Sequence, residues 1–163
     1  HNPSHTKTLV RVPFANGIAM LNSTTVAVAS SAKMGVNLYT FSPDTIKLHF
    51  RKFIRAPSSV DNLSVDASGK LLMAGHPFAP GLMKVSKARA KCNMRGSEEE
   101  KKACECTASS WVAEWSEDGG LNTLYKNNGD EFCSSSTFAR DVGRGVSIVT
   151  GLYDRGLLVA REV

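Results

Sequence analysis

Two short polar motifs about 45 residues apart carry the side chains with the clearest potential for chemistry. The first places Asn16 within residues 13–18, and the second places Asp61 and Asn62 within residues 59–66. Carboxylate and amide oxygens are hard ligands that suit calcium better than zinc. Each motif stands where an apolar strand is expected to begin, so we expect one cation held between two equivalent strands.

Each motif also has a simpler interpretation. Asn16-Gly17 is a strong turn dipeptide, and Asp61 and Asn62 could hydrogen-bond their own backbone beside a loop. However, a charged and an amide side chain directly before an apolar strand need partners if they are buried, and a cation supplies them. The two motifs in register therefore favour an oxygen-ligand site.

Composition narrows the function classes. The chain has 163 residues, which is long enough for one domain with a core. It contains 20 basic and 15 acidic residues, so its formal net charge is +5. The densest basic stretch, residues 84–95, is soon followed by the acidic residues 98–100, and only 7% of residues are aromatic. A nucleic-acid surface needs a continuous basic face with stacking aromatics, so we expect no nucleic-acid partner. No run of about 18 apolar residues exists, so we expect no transmembrane segment.

Cysteine usage favours an oxidising compartment and hence a secreted protein. The chain has four cysteines, Cys92, Cys104, Cys106 and Cys133. An even count suits disulfides, but three pairings remain open. A bridge from Cys92 to either of the next two cysteines would staple a charged insertion. Zinc is disfavoured because Cys104-x-Cys106 lacks the usual two-residue spacer and has no nearby His.

Other features agree with a processed, exported chain. Asn22-Ser23-Thr24 is a glycosylation acceptor pattern. Asn62-Leu63-Ser64 fits the same pattern, but a metal ligand could not carry a glycan, so we expect Asn62 to be unmodified. The chain begins at His1 without an initiator Met or a visible leader, and we expect a mature chain or a piece of a longer one.

The elements that position the motifs are predicted to be almost entirely β. Short alternating runs between Asp-Gly and Ser-Gly turns predict antiparallel hairpins. They group into units near 14–54, 60–126 and 135–163, and units of about 40 to 50 residues with four strands are propeller blades. Blades pack on both neighbours and three cannot close a ring. We therefore predict that residues 1–163 form one partial propeller domain that needs its other half.

One segment departs from this pattern. Residues 84–106 are rich in Lys, Ala, Arg and Glu and predict a helix or loop inserted in the second blade, interrupted near Gly96-Ser97. Charge runs are usually solvated, so a solvated excursion is the first interpretation. A lid over the substrate is the alternative.

Residues 14–18, 60–66 and 75–77, with a tail around 136–139, resemble in order and spacing the C-terminal half of the paraoxonase/arylesterase family. Wider relatives are the gluconolactonase and regucalcin-like propellers. The resemblance implies an all-β, six-bladed β-propeller, of which this chain supplies about half. It also implies a Ca²⁺ cofactor at the floor of a central tunnel.

The resemblance assigns roles residue by residue. Asn16, Asp61 and Asn62 match the positions that hold the catalytic calcium, which the family completes with ligands from earlier blades. His76 matches a histidine at the active-site mouth, so we expect it at the pocket rim or in contact with substrate, with the general base outside this chain. Thr137 matches a pocket-wall position. The tunnel mouth would also receive aromatic side chains, namely Phe14 and Phe78.

The implied activity is calcium-dependent hydrolysis of a small-molecule ester or lactone. The implied partner is an N-terminal half-propeller chain from the same precursor, giving a heterodimer. No Gly-x-Ser-x-Gly elbow is present, which argues against a serine hydrolase. Two alternatives remain: a related propeller enzyme that catalyses condensation or lyase steps, and a non-catalytic binding propeller stabilised by calcium.

Overall fold

The computed structural model describes residues 7–161, which form eleven strands in three antiparallel sheets. The first sheet contains, in order, β1 (Ala15–Asn22), β2 (Thr25–Ser30), β3 (Gly35–Ser42) and β4 (Lys47–Arg55). The second contains β5 (Ser59–Val65), β6 (Leu71–His76), β7 (Ser110–Ser116) and β8 (Gly120–Asn127). The third contains β9 (Ser135–Asp141), β10 (Val146–Gly151) and β11 (Leu157–Arg161). Each sheet is a meander in chain order, which confirms the predicted all-β fold as part of a propeller.

The sheets stack face to face, with the second between the other two. Strand β6 is buried along its whole length because its two faces serve two cores. Leu71 and Met73 pack in the core shared with the first sheet, whereas Leu72 and Ala74 pack in the core shared with the third. This alternation explains why β6 reads as a continuous apolar run.

The inner strands β1 and β5 approach each other closely at Gly17. A Cβ atom there would lie 2.6 Å from the Asp61 carbonyl oxygen and 2.6 Å from the Leu63 nitrogen, so no side chain fits. Asn16 and Gly17 lie inside β1. The turn interpretation of Asn16-Gly17 is therefore wrong, and the glycine serves strand contact.

The insertion lies between β6 and β7 and contains α1 (Ala79–Arg89) and α2 (Glu98–Lys102). Helix α1 begins earlier than the predicted insertion at residue 84, because a proline occupies its first turn. The predicted interruption at Gly96-Ser97 is confirmed: Ser97 caps α2 in a capping box with Glu100. In residues 7–161, no helix is long and apolar enough to cross a membrane.

Two disulfides fix the insertion, pairing Cys92 with Cys104 and Cys106 with Cys133. The first staples the insertion on itself, as one of the open pairings predicted. The second ties the end of the insertion to the segment before β9. The C-terminal end of the insertion is thus tied to the segment that leads into the third sheet.

Helix α1 is docked on one side, while most of residues 84–106, including Lys84 and Lys87, are exposed as expected for a solvated excursion. Val85 is buried with Ala108 and Cys133. Arg89 donates through Nη2 to the Tyr153 carbonyl oxygen at 2.6 Å, and its guanidinium lies 5.5 Å from the centroid of the Tyr153 ring. A cation over an aromatic ring adds to the hydrogen bond. These contacts hold α1 against the third sheet.

A buried ionic cluster joins the second and third sheets. Arg140 donates through Nε and Nη2 to Asp66 Oδ2 at 2.9 and 2.5 Å, and its Nη2 lies 2.7 Å from Glu114 Oε2. Lys70 Nζ donates to Glu114 Oε1 at 2.8 Å. The sequence predicts Asp66 only as a turn residue; it does cap that turn by accepting from Ser68, but it also binds a cation on another sheet.

The electrostatics of this cluster favour the ionised carboxylates. Burial alone would raise the pKa of Asp66, but hydrogen bonds from Ser68, Arg140 and Lys70 outweigh it and hold the pKa below its usual range. Burial likewise opposes ionisation of Glu114, and hydrogen bonds from Lys70 and Arg140 lower its pKa.

Both ends of the stack expose apolar side chains. On the first sheet Ile18, Met20 and Phe50 are exposed, and the register places Met20 and Phe50 on one face. On the third sheet, Ile148 pairs with Val159, and both are exposed. Apolar faces of this kind mark surfaces that contact another element. In a ring they would pack on neighbouring blades.

Candidate functional site

The three inner strands share an irregularity near their starts. Each carries one residue more than its partner strand, so a bulge interrupts the ladder. The bulges lie between Ala15 and Ile18 in β1, between Val60 and Leu63 in β5, and between Ser135 and Thr137 in β9. They contain Asn16-Gly17, Asp61-Asn62 and Ser136, respectively. The candidate ligands of β1 and β5 therefore occupy equivalent positions, where a bulge re-aims a side chain.

A second set of equivalent positions follows the same register. The pairs just before the bulges are Ala15 with Ser30, Val60 with Gly75, and Ser135 with Gly151. The residue that follows the paired residue of β2, β6 or β10 is Ser31, His76 or Leu152, respectively. All three line one cavity together with Asn16 and Asp61. The repeated geometry thus converges on a single space at one end of the sheets.

This cavity has a volume of about 560 Å³ and two chemically distinct parts. Its polar part contains Asn16, Ser31, Asp61 and His76. Its apolar wall contains Phe14, Leu82, Met83 and Leu152, of which Leu82 and Met83 come from α1. Among the described residues that line it, none is a lysine or arginine.

His76 and Asp61 form a polar contact inside the cavity. His76 Nε2 lies 3.3 Å from Asp61 Oδ2, and both side chains are largely buried. The other ring nitrogen, Nδ1, is buried and has no hydrogen-bond partner within the described part of the chain. Buried polar atoms normally have partners. A ligand or a water molecule in the cavity could satisfy this atom.

Both candidate amide ligands donate their NH₂ groups to hydroxyl oxygens. Asn16 Nδ2 donates to Ser31 Oγ at 3.3 Å, and Asn62 Nδ2 donates to Thr137 Oγ1 at 2.9 Å. The amide oxygens are therefore left for other partners.

The donor set fits calcium. Calcium takes six to eight oxygen ligands, and Asn16, Asp61 and Asn62 offer amide and carboxylate oxygens. Within residues 7–161 no three His, Cys, Asp or Glu side chains cluster so as to hold a metal ion. A calcium site here would rest on the single carboxylate of Asp61, on amide oxygens and on ligands from beyond the described chain.

Only some of the site residues expected from the sequence line the cavity. Asn16, Asp61, His76 and Phe14 line the cavity. Phe78 is the N-cap residue of α1; its side chain is exposed and does not line the cavity. Asn62 and Thr137 contact each other beside the cavity rather than lining it.

Sequence reasoning missed Ser31, Leu82 and Leu152. A usable signal exists for two of them. Ser31 and Leu152 stand where His76 stands in its own sheet, one residue beyond the last pair before the bulge. Aligning the three repeats in sequence and reading off the positions equivalent to His76 identifies both residues. Leu82 lies on α1, which has no counterpart in the other sheets.

Comparison with known proteins shows the fold and no more. No family model matches the chain, and no curated protein matches it. The chain is similar to a luciferin-regenerating enzyme, a β-propeller, at a TM-score of 0.51 and 14% identity, over 86% of this chain and 38% of that one. A provisionally named 6-phosphogluconolactonase from Bacteroides uniformis is similar at a TM-score of 0.42 and 10% identity, over 91% of this chain and 50% of the other. The chain thus spans no more than half of either structure.

Proposed function

We propose that this chain is part of a β-propeller hydrolase that cleaves uncharged esters or lactones with the aid of Ca²⁺. One observation carries the proposal: equivalent bulges in β1 and β5 bring Asn16 and Asp61 to one cavity that has an apolar wall. The resemblance of residues 14–18 and 60–66 to the paraoxonase/arylesterase family supports it.

Asn16, Asp61 and Asn62 would hold the ion, and the rest of the ring would supply the remaining ligands. A bound Ca²⁺ would polarise the substrate carbonyl and stabilise negative charge on its oxygen. The largely buried Asp61 suits this role, because a carboxylate there needs a counter-charge.

The chain's own residues would bind and orient the substrate. His76 Nδ1, buried and unpaired among the described residues, is available to contact a polar group of the substrate. Leu82 and Met83 on α1 would cover the apolar part of the substrate and keep water out. Because no lysine or arginine of the described chain lines the cavity, an uncharged acyl or aryl group fits better than a phosphorylated one.

Completion of the ring is part of this proposal. The exposed apolar faces of the first and third sheets would be covered by the other blades of a six-bladed ring. We propose that an N-terminal half from the same precursor supplies those blades and the general base. Two disulfides and an exposed Asn22 in an acceptor pattern are compatible with secretion and glycosylation.

The test is Asp61→Ala in the intact protein, assayed for calcium binding by calorimetry and for hydrolysis of an aryl acetate and a neutral lactone. We expect both calcium binding and turnover to be lost. Asp44→Ala is the matched control, because Asp44 is an exposed acid in the β3–β4 turn and should change neither.

Two results would count against the hydrolase. Full activity of Asp61→Ala would refute the site. Calcium binding by the wild-type protein without turnover of either substrate would favour a binding propeller or a condensation or lyase enzyme on the same scaffold.

A further inference from the structure

We propose that Ser31 is a positioning residue that fixes the side-chain amide of Asn16, so that its oxygen is presented for a cation. This inference rests on the calcium site proposed above. It follows from the hydrogen bond that the Ser31 hydroxyl donates to the Val60 carbonyl oxygen.

The Ser31 hydroxyl is already committed as a donor. Its Oγ donates to the Val60 carbonyl oxygen at 2.6 Å, and a serine hydroxyl has only one proton to give. Toward any other neighbour, Ser31 Oγ can only accept. The short bond links the end of β2 to β5 next to Asp61, and Val60 is fully buried.

This commitment determines the orientation of Asn16. The Asn16 amide nitrogen, Nδ2, lies 3.3 Å from Ser31 Oγ. A reversed amide would place its oxygen against Ser31 Oγ, and two acceptors without a proton between them repel each other. The NH₂ group of Asn16 therefore faces Ser31, and Oδ1 is left for a different partner.

The consequence for a cation is direct. An amide ligand binds calcium through oxygen, whereas its NH₂ group carries positive partial charge. Partners that orient a metal ligand typically change metal affinity by about 10- to 100-fold when they are removed. We expect an effect in that range, because without Ser31 the Asn16 amide can rotate freely.

The repeat strengthens the assignment. Ser31 and His76 hold equivalent positions, and each contacts the bulge residue of its own sheet, Asn16 and Asp61 respectively. The same position thus serves the candidate ligand in both sheets.

The experiment measures Ca²⁺ affinity by calorimetry and stability by urea unfolding in the intact protein. Ser31→Ala should weaken calcium binding by about 10- to 100-fold. Ser31→Thr and Ser31→Val differ only in a hydroxyl against a methyl, so Thr should restore the affinity and Val should not. This isosteric pair decides the question if Ser31→Ala does not fold.

Ser64→Ala is the matched control. Ser64 Oγ donates to the Phe138 carbonyl oxygen at 2.6 Å, which also links two sheets, but it contacts no candidate ligand through its side chain. Ser64→Ala should lose stability comparably to Ser31→Ala while keeping calcium affinity.

The outcomes separate this inference from the proposed function. If Asp61→Ala abolishes calcium binding but Ser31→Ala and Ser31→Val bind calcium with wild-type affinity, the role of Ser31 is overturned and the calcium site stands. An equal loss of affinity in Ser64→Ala would also overturn it. A wild-type protein that binds no calcium would overturn both the site and this inference.

Discussion

Replacing Arg140 by methionine should strongly destabilise the contact between the second and third sheets. The substitution keeps an apolar stem of similar length but removes the cation that lies between Asp66 and Glu114. The Asp66 side chain is 0% exposed and that of Glu114 is 12% exposed. Removing one partner of a buried ion pair leaves uncompensated charge, which costs about 3 to 5 kcal/mol.

The pH dependence of this loss follows from the lowered pKa values of Asp66 and Glu114. A carboxyl group whose pKa is depressed in the folded state stabilises the protein above its unfolded pKa, and this contribution is lost as the pH falls through the folded value. In Arg140→Met the stabilisation from the cation is absent. The difference between wild type and variant should therefore be full at neutral pH and should shrink below about pH 4.

Urea unfolding followed by the fluorescence of the buried Trp111 and Trp115 on β7 reports on this region. Arg144→Met is the control: its ion pair with Asp141 is 82% and 44% exposed, so solvent screens it and little should change. A deficit of Arg140→Met that stays constant as the pH is lowered from neutral to about pH 2, well below the usual carboxyl pKa values, would refute the electrostatic reasoning, as would a loss no larger than that of Arg144→Met.

Two further perturbations test the geometry that carries the site. Gly17→Ala should lower both stability and calcium affinity, because its Cβ would meet backbone atoms of β5 at 2.6 Å; Gly143→Ala, whose nearest contact is at 3.5 Å, is the control in urea and calcium titrations, and equal behaviour of the two would contradict this. Serine replacement of Cys106 and Cys133, 27 residues apart, should cost about 3.5 kcal/mol in the chain-entropy model and should lower turnover by loosening α1. Serine replacement of Cys92 and Cys104, 12 residues apart, should cost about 3 kcal/mol while retaining turnover. The two double variants are compared by limited proteolysis within α1, and equal cleavage rates would contradict the role of the Cys106–Cys133 disulfide in anchoring α1.

Local features of the fold could be predicted because they depend on neighbours in sequence. Alternating runs between turns predict antiparallel hairpins, and neighbouring strands in all three sheets pair antiparallel. The break at Gly96-Ser97 is likewise set by a capping motif that is readable in the chain. The motifs with Asn16 and Asp61 could be placed at equivalent strands because the blades repeat.

Features that depend on distant partners could not be predicted. Asp66 and Arg140 are 74 residues apart, and nothing in the charge pattern links them. The bulges arise from pairing with β2 and β6, so Asn16-Gly17 reads equally as a turn. The docking of α1 depends on Val85 meeting Cys133, which a charged composition conceals.

The bulges also separate what the site does from what folds the chain. The extra residue at each bulge lies outside the ladder register, so its side chain need not match the alternation that builds the cores. The three equivalent positions hold an amide in Asn16, a carboxylate in Asp61 and a hydroxyl in Ser136 on the same backbone framework. New chemistry could therefore arise in this scaffold by single substitutions at Asn16 and Asp61, the two of these positions that line the cavity, with the strand pairing left as it is.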